Sequence, residues 1–340
     1  ANLFMQIVRT LLTRLATTII TLLGAAIIVF VVIRVVPGNP IAMMLPPGAT
    51  DADIARLEAL YGLDKSILDQ FLIWFGNVLR GDFGTSITTR QPVFDLVIGR
   101  LPATLELSVM ALLIAIVVGG SAALTAPRYR GTKVEGSIDV AGGVALSLPD
   151  FLWGLALILV LGVLWPLFHI SGRVSPSLGF EFNTDFYLLE ALVRFRFDVV
   201  LDLLGHMFLP ALALAIPLAA IILQLLKQSL KECMHDDYIT LACTKGYSET
   251  SIIVRDALPN AILPTLTLVG VQFTFLIGGT VIIERLFSYE GLGNMAIDAV
   301  INRDLPLIQG IVLVFALLFT LVNLMVDMTY AALNPRLRHA

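Results

Sequence analysis

The chain has 340 residues, 57% hydrophobic and only 14% charged, with a mean hydropathy of +0.89. An ordinary soluble domain carries about 25% charged residues, so a soluble globule is excluded. Its 22 basic and 26 acidic residues leave a net charge of −4 with no basic tail, which argues against nucleic-acid binding and against a polybasic membrane anchor.

The apolar residues are grouped. Charge-free intervals separate Arg14 from Arg34, Glu106 from Arg128, Asp150 from Arg173, Asp202 from Lys227, Asp256 from Glu284 and Asp304 from Asp327, and each is 19 residues or longer. Each is long enough to cross about 30 Å of hydrocarbon as a helix, so the expected fold is an all-α membrane protein with six spans. The first, preceded by Arg9 and Arg14, runs through Val36 into Pro37-Gly38. A secretory signal's apolar region is usually about 7–15 residues, so this segment reads as a retained span within residues 1–36.

Residues 37–101 form an insert too long to be a turn and rich in acids. Within it, Asp51 to Gly62 has acids at its start and glycine at its end, as a helix would. A second helical stretch places Ile67, Leu68, Phe71, Trp74, Phe75, Val78 and Leu79 on one face and stops at Gly81. Such helices lie either on the membrane surface, against a partner, or as a cap on the chain's own spans. Residues 102–335 then hold five further spans, followed by a tail at 336–340. The third span contains Asp139, Pro149 and Asp150, and is expected to be long, tilted or kinked near the proline.

Charge distribution orients the chain. Arg9 and Arg14, then Arg128, Arg130 and Lys133, then Lys227, Lys231, Lys245 and Arg255, and finally Arg336 and Arg338 all fall on one side of a six-span path. The positive-inside rule puts that side, and both termini, in the cytoplasm. The outward connections are 37–101, about 169–204 and 285–306.

Chemistry is sparse. No lysine follows a glycine, so the phosphate-cradling G-x-x-x-x-G-K-[ST] loop is absent. His169, His206, His235 and His339 are scattered, none in a zinc-binding spacing, and no metal site is expected. No G-x-S-x-G elbow occurs either. Glu106, Asp139, Asp150 and Asp327 lie in or near spans, as interfacial groups paired with cations or as functional acids, Asp150 lying well inside its apolar stretch. Gln224, Gln272, Thr274 and Asn323 either tie helices together or, with Asp150, line a transport path. Gly119-Gly120 and Gly278-Gly279 suit close helix packing.

The loop at 227–260 is the most structured polar segment. Asp236 is placed to cap a helix with Asp237 in its first turn, and Lys245-Gly246 to close it. Ser248 is placed to cap a second helix running to Leu258-Pro259. Ala242 and Gly246, four apart, leave a small-residue notch beside Tyr238, open to a partner's side chains or to the second helix.

Ala242-x-x-x-Gly246, followed by Asp256-x-Leu258-Pro259, resembles the cytoplasmic coupling signature of bacterial ABC importer permeases, E-A-A-x-x-x-G-x₉-I-x-L-P. Thr240, Leu241 and Asp256 depart from it, so a glutamate-mediated salt bridge is not carried over. Further resemblance comes from Arg34-x-x-Pro37-Gly38-Asn39-Pro40, Tyr61-Gly62-Leu63-Asp64-Lys65, Gly81-Asp82-Phe83-Gly84-Thr85-Ser86 and Arg100-Leu101-Pro102-Ala103-Thr104-Leu105-Glu106-Leu107. Ser171-Gly172-Arg173, Phe287-Ser288-Tyr289-Glu290-Gly291-Leu292-Gly293 and Asn334-Pro335-Arg336 complete it. Together these look like the first permease subunit of dipeptide, oligopeptide and nickel importers.

The resemblance implies a non-catalytic subunit of the bacterial inner membrane. It would pair with a second, homologous permease, two ATPase subunits that use ATP and Mg, and an external solute-binding protein. The chain itself would bind no cofactor. Asp237, Tyr238, Ala242, Lys245, Gly246, Arg255, Leu258 and Pro259 are the expected ATPase-coupling residues. Short peptides are the expected cargo, with nickel, glutathione or another small solute as the alternative. A proton-coupled transporter working through Asp150 or Asp139, and an intramembrane enzyme, are the readings from other classes.

Overall fold

Backbone amides inside a bilayer must be satisfied within their own segment, and this chain meets that requirement with helices. The computed structural model describes residues 2–35, 50, 52 and 65–333, in which no strand occurs and one β-bridge joins Thr85 to Pro92. The helix expected over 51–62 lies outside the described residues apart from Ala52, as do the motifs at 37–40, 61–64 and 334–336. The helices are α1 (Asn2–Val35), α2 (Ile67–Leu79), α3 (Val93–Thr125), α4 (Lys133–Ser147), α5 (Asp150–Leu157), α6 (Tyr187–Val193), α7 (Phe197–Cys233), α8 (Asp237–Thr244), α9 (Leu258–Leu286), α10 (Leu292–Ile301) and α11 (Leu305–Leu333).

Four helical stretches among the described residues are long and apolar enough to cross a membrane: Val93–Tyr129, Phe197–Cys233, Glu249–Leu286 and Leu305–Val326. The stretches Lys133–Ser147 and Asp150–Leu164 pass the same test only together and are bent by 104° at their break, the form of a broken span or of a re-entrant loop. The kink expected near Pro149 is therefore a full break. Leu148 is extended, as a residue before proline prefers, and Pro149 itself has ψ 155°. Trp153 Nε1 donates to the Ala145 carbonyl across the corner at 3.2 Å. After α5 the chain continues through a π-helical stretch, Ile158–Leu164.

The chain divides into two compact units. In the first, Ala1–Leu101 with Met295–Leu321, α2 packs on the chain's own first helix. Phe30 meets Phe71 edge-on at 5.2 Å and Trp74 at 5.6 Å, while Trp74, Phe75 and Val78 cover Ala26, Val29 and Leu313. Of the readings open for this amphipathic face, packing on the chain's own helices holds for these residues; Ile67, Leu68 and Leu79 stay exposed. Gly81 turns the chain out of α2 at φ +84°, a conformation that costs glycine little.

In the second unit, Pro102–Asn294 with Val322–Ala340, the 37-residue α7 is the centre. It packs against α4, α5 and α9, and most of its middle residues are buried. A Cβ at Gly119 of α3 would strike the Ala219 backbone of α7, so the expected close packing is realised there. Gly120 and Gly278 face open space. Glu106, expected near a span end, lies buried inside α3. Asp139 is held by Lys227 of α7 at 2.7 and 2.8 Å, with Glu135 of α4 on the same ammonium at 2.9 Å. This cation is not one of the neighbouring Arg128, Arg130 and Lys133 group.

Candidate functional site

The loop at 227–260 builds as local capping chemistry dictates. Asp236 stands at the N-cap of α8 in an extended conformation, but its carbonyl, not its carboxylate, receives the Ile239 and Thr240 amides. Gly246, at φ +79°, donates to the Cys243 carbonyl at 3.0 Å, and Tyr247 donates to that of Ala242 at 3.4 Å. These two bonds are a Schellman closure. Ser248 Oγ accepts from the Ser251 amide and starts the next helix.

The expected notch is filled from within the chain. Ala242 and Ile239 are buried against Ile252, Ile253 and Ala257 of the following segment and Leu226 and Leu230 of α7. Ala242 therefore presents no free surface, because the second helix folds back over it. Nothing lies within 4 Å of a Cβ built on Gly246.

A second correction concerns Leu258 and Pro259, expected to end that helix. The helical turn Glu249–Ser251 instead runs through a π-helical stretch, Ile252–Ala257, straight into α9. Proline lacks an N–H and its ring strikes the preceding turn of a regular helix. The wider π turn just ahead, with Pro259 at the start of α9, relieves both problems. Leu258 packs on the buried cluster and Pro259 is exposed.

What α8 offers outward is Asp237, Tyr238, Thr240, Leu241, Cys243, Thr244 and, at its C-cap, Lys245, with Tyr247 beyond its end and Arg255 exposed on the next segment. Leu241 and Tyr247 are 56% and 53% exposed. Tyr238 is anchored because its hydroxyl accepts from Asn260 Nδ2 at 3.0 Å. Partial burial pushes its phenol up, against the opposing pull of that hydrogen bond.

The polar residues considered for a transport path separate into three places. Asp150 and Gln272 line one cavity of about 480 Å³, with Pro149, Pro217, Phe275 and Gly279. Asp150 stands at the first residue of α5, where its carboxylate receives the Phe151 amide at 2.8 Å. Gln224 lies elsewhere, in a cavity of about 360 Å³ with Asp139 and Lys227. Thr274 and Asn323 hydrogen-bond to each other at 3.3 Å, joining α9 to α11.

Several quoted motifs meet in a buried polar cluster of the second unit. Thr104 Oγ1 donates to Glu284 at 2.7 Å and accepts the Leu292 amide at 2.8 Å. Glu284 also accepts the Asn294 amide at 3.0 Å. Arg173 pairs with Glu106 at 2.8 Å, donates to the Asp185 carbonyl and stacks over Tyr187 at 3.8 Å. Gly172 donates to the Phe287 carbonyl, and Tyr289 is fully buried, its phenol pushed up chiefly by desolvation. Glu284 was not singled out from the sequence, where it reads only as the charge that ends a span.

In the first unit Asp304 plays a similar part. Its carboxylate accepts from Ser86 Oγ at 2.5 Å and the Thr88 amide at 3.0 Å, and also caps α11 through the Leu307 amide. The Gly81-to-Ser86 motif is thus tied to the start of the last long helix. Of the histidines read as scattered, His169 and His206 stack with centroids 3.9 Å apart.

Comparison with known proteins agrees with this architecture. Residues 105–339 match the family described as "Binding-protein-dependent transport system inner membrane component", and residues 7–108 match that system's membrane component N-terminal family. The chain is 37% identical over 336 residues to the dipeptide transport system permease protein DppB of Escherichia coli (strain K12), covering 97% of this chain and 98% of that one. It is 32% identical over 319 residues to the oligopeptide transport system permease protein AppB of Bacillus subtilis (strain 168), covering 94% and 95%. To the glutathione transport system permease protein GsiC of Escherichia coli (strain K12) it is 32% identical over 329 residues, covering 96% and 97%. Among solved structures, the inward-facing MetNI methionine ABC transporter matches with a TM-score of 0.52 at 14% identity, over 68% of this chain and 93% of that one. The fold is thus shared with a chain of that transporter structure, and the chain belongs to the family of binding-protein-dependent transport system inner membrane components.

Proposed function

We propose that this permease carries short peptides across the bacterial inner membrane, as one of two homologous permease subunits served by two ATPase subunits and an external binding protein. The full-length 37% identity to a dipeptide permease carries the reading. The glutathione relative, at 32% identity, supports a second reading in which the cargo is glutathione.

Six spans complete the path when α1, with its apolar stretch Ala16–Val32, joins the five other candidates. Both termini are cytoplasmic, and the insert at 37–101 and the segment 285–306 face the binding protein. Energy enters at α8. The exposed residues Asp237, Tyr238, Leu241 and Lys245 seat in a groove of an ATPase subunit, with Arg255 available to its acids. The buried side of α8 is fused to α7 and α9 through Ile239, Ala242, Ile253 and Ala257. A push on α8 therefore moves those helices as a body, because packed cores switch between discrete arrangements rather than deform continuously. Gly246 gives the loop its turn; Leu258 and Pro259 keep the connection to α9 continuous.

On the path, the Asp150 carboxylate and the Gln272 amide line the same cavity. A peptide's terminal ammonium finds a counter-charge there and its carbonyls and amides find a partner in Gln272. Gln224 and the Thr274–Asn323 pair sit apart from that cavity.

The test is reconstitution of the chain with its second permease, ATPases and binding protein in liposomes. Uptake of a labelled dipeptide that needs internal ATP supports the reading. Uptake of labelled glutathione, unaffected by excess dipeptide, favours the second cargo. Asp150→Asn should slow peptide uptake while leaving binding-protein-stimulated ATP hydrolysis in place. Uptake driven by a proton gradient without ATP sinks the importer reading.

A further inference from the structure

We propose that the cavity of about 360 Å³ between α4 and α7 is a second station for the peptide, which receives its terminal carboxylate at Lys231 and its backbone at Gln224. The inference rests on the peptide reading above and adds the place that the solute occupies between the Asp150–Gln272 cavity and the loop end of α7.

The two cavities share their walls. Leu146 of α4 with Pro217 and Ile221 of α7 line the larger one, and Asp139 and Gly142 of α4 with Gln224, Gln228 and Lys231 of α7 line the smaller. Asp139, Gly142 and Leu146 follow one another at steps of three and four residues, and so do Pro217, Ile221, Gln224, Gln228 and Lys231. Such steps keep each set along one face of its helix, so a single groove between α4 and α7 joins the cavities. From Ile221 to Lys231 is ten residues, about 15 Å along the axis of α7. An extended dipeptide spans only about 7 Å, so it occupies one cavity at a time and is handed from one to the other.

The chemistry of the smaller cavity suits a zwitterion. Its Lys227 is committed, held by Asp139 at 2.7 and 2.8 Å and by Glu135 at 2.9 Å. Lys231 is exposed and has no acid partner among the described residues. Gln228 gives its amide to Glu232 at 3.1 Å, whereas the exposed Gln224 amide makes no hydrogen bond among the described residues. Two carboxylates on one ammonium leave an excess of negative charge on the α4 wall, where the Asp139 side chain is still 54% exposed. A peptide therefore finds an anion for its ammonium at Asp139, a cation for its carboxylate at Lys231 and an amide for its peptide group at Gln224.

A structural ion-pair cluster explains Lys227, Glu135 and Asp139 but neither Gln224 nor Lys231. Gln224 lies inside the uncharged run 203–226, where a polar side chain without a partner costs free energy. The volume falls within the range of about 300–1,000 Å³ usual for small-molecule sites.

The test uses the complete transporter in liposomes with its binding protein and ATP. A labelled dipeptide carrying azidophenylalanine is illuminated during turnover, and adducts on this chain are mapped by mass spectrometry. Two groups are expected, one at 146–150 or 272–279 and one at 139–142 or 224–231. Lys231→Glu should lower the second group about 10-fold relative to the first, as loss of a charge-assisted hydrogen bond does. Gln224→Leu, which keeps the bulk and removes the amide, should lower the same group. A general loss of folding would lower both groups together, so the ratio carries the result. Uptake with adducts confined to the first group, as when a phospholipid headgroup holds the smaller cavity, overturns this proposal and leaves the peptide reading standing. An unchanged ratio in both variants overturns it equally. No dipeptide uptake by the parent sinks the peptide reading and this station with it.

Discussion

The hydroxyl of Thr104 serves two partners from distant parts of the chain, donating to Glu284 at 2.7 Å and accepting the Leu292 amide at 2.8 Å. One β-branched residue on α3 thereby fixes both the end of α9 and the start of α10. The glycines beside Glu284 follow from this. A Cβ at Gly291 would overlap the carboxylate, and one at Gly293 would sit 2.5 Å from Val281 Cα.

Thr104→Val keeps the shape and removes the hydroxyl, leaving the Leu292 amide and one Glu284 oxygen short of a partner. Unsatisfied buried groups cost about 1–3 kcal/mol each, so a clear drop in unfolding temperature in detergent is expected. Thr104→Ser should restore most of it. An unchanged temperature in the valine variant would show that the network contributes nothing net.

Gly119 and its neighbour Gly120 should respond oppositely to alanine. At Gly119 the added Cβ runs into the Ala219 backbone, which has no flexible end to yield, and a loss of about 1–3 kcal/mol is expected. At Gly120 nothing lies within 4 Å, so alanine should be neutral or gain about 0.5–1 kcal/mol from reduced backbone freedom in the unfolded chain. Paired thermal melts of the two variants read the difference.

Much of the fold was legible because hydrocarbon leaves few choices: uncharged runs such as 203–226 and 257–283 are helices in the structure. The caps at Ser248 and Gly246 were legible for the same local reasons. What escaped was long-range. Ala242 and Gly246 share a spacing, yet only the packing of Ile252 and Ile253 decides that one is buried and the other bare. Pro259 reads as a stop, and the π-helical stretch that accommodates it has no sequence signature. Glu284, Asp304 and the His169–His206 pair depend on contacts between residues far apart in sequence, which no periodicity reports.

Asp304 should behave as a structural clasp. Asp304→Ala removes acceptors from Ser86, Thr88 and Leu307 together, so faster amide exchange is expected at residues 86–88 and in the first turn of α11. Equal exchange in parent and variant would remove the clasp from consideration.

Glu190 gives the segment around α6 an acid limit. Amides of Asn183 and Thr184, the Thr184 hydroxyl and Arg194 surround its carboxylate and hold its pKa down to about 2, led by the Asn183 amide. A lowered folded pKa means that the ionised form stabilises the fold. That contribution is complete above the ordinary value of 4.5 and disappears as pH falls through about 2. Glu190→Gln should therefore be less stable than the parent at neutral pH, with the gap closing across that window. A gap independent of pH would assign the effect to shape rather than charge.

The two sides of α8 should separate coupling from folding. Leu241 is 56% exposed and is not a member of the buried cluster, so Leu241→Asp should leave expression and melting within about 0.5 kcal/mol of the parent. If that face seats in the ATPase, the variant loses uptake and co-purifies with less ATPase. Ala242→Leu acts from the other side, forcing extra methyl groups against Ile252 and Ile253 at a cost of about 1–3 kcal/mol. Gly246→Ala tests the turn alone, since a Cβ at φ +79° costs about 1–2 kcal/mol although nothing crowds it. Full uptake with Leu241→Asp would move the ATPase contact away from this face and leave Tyr247 and Arg255 as the next surface to change.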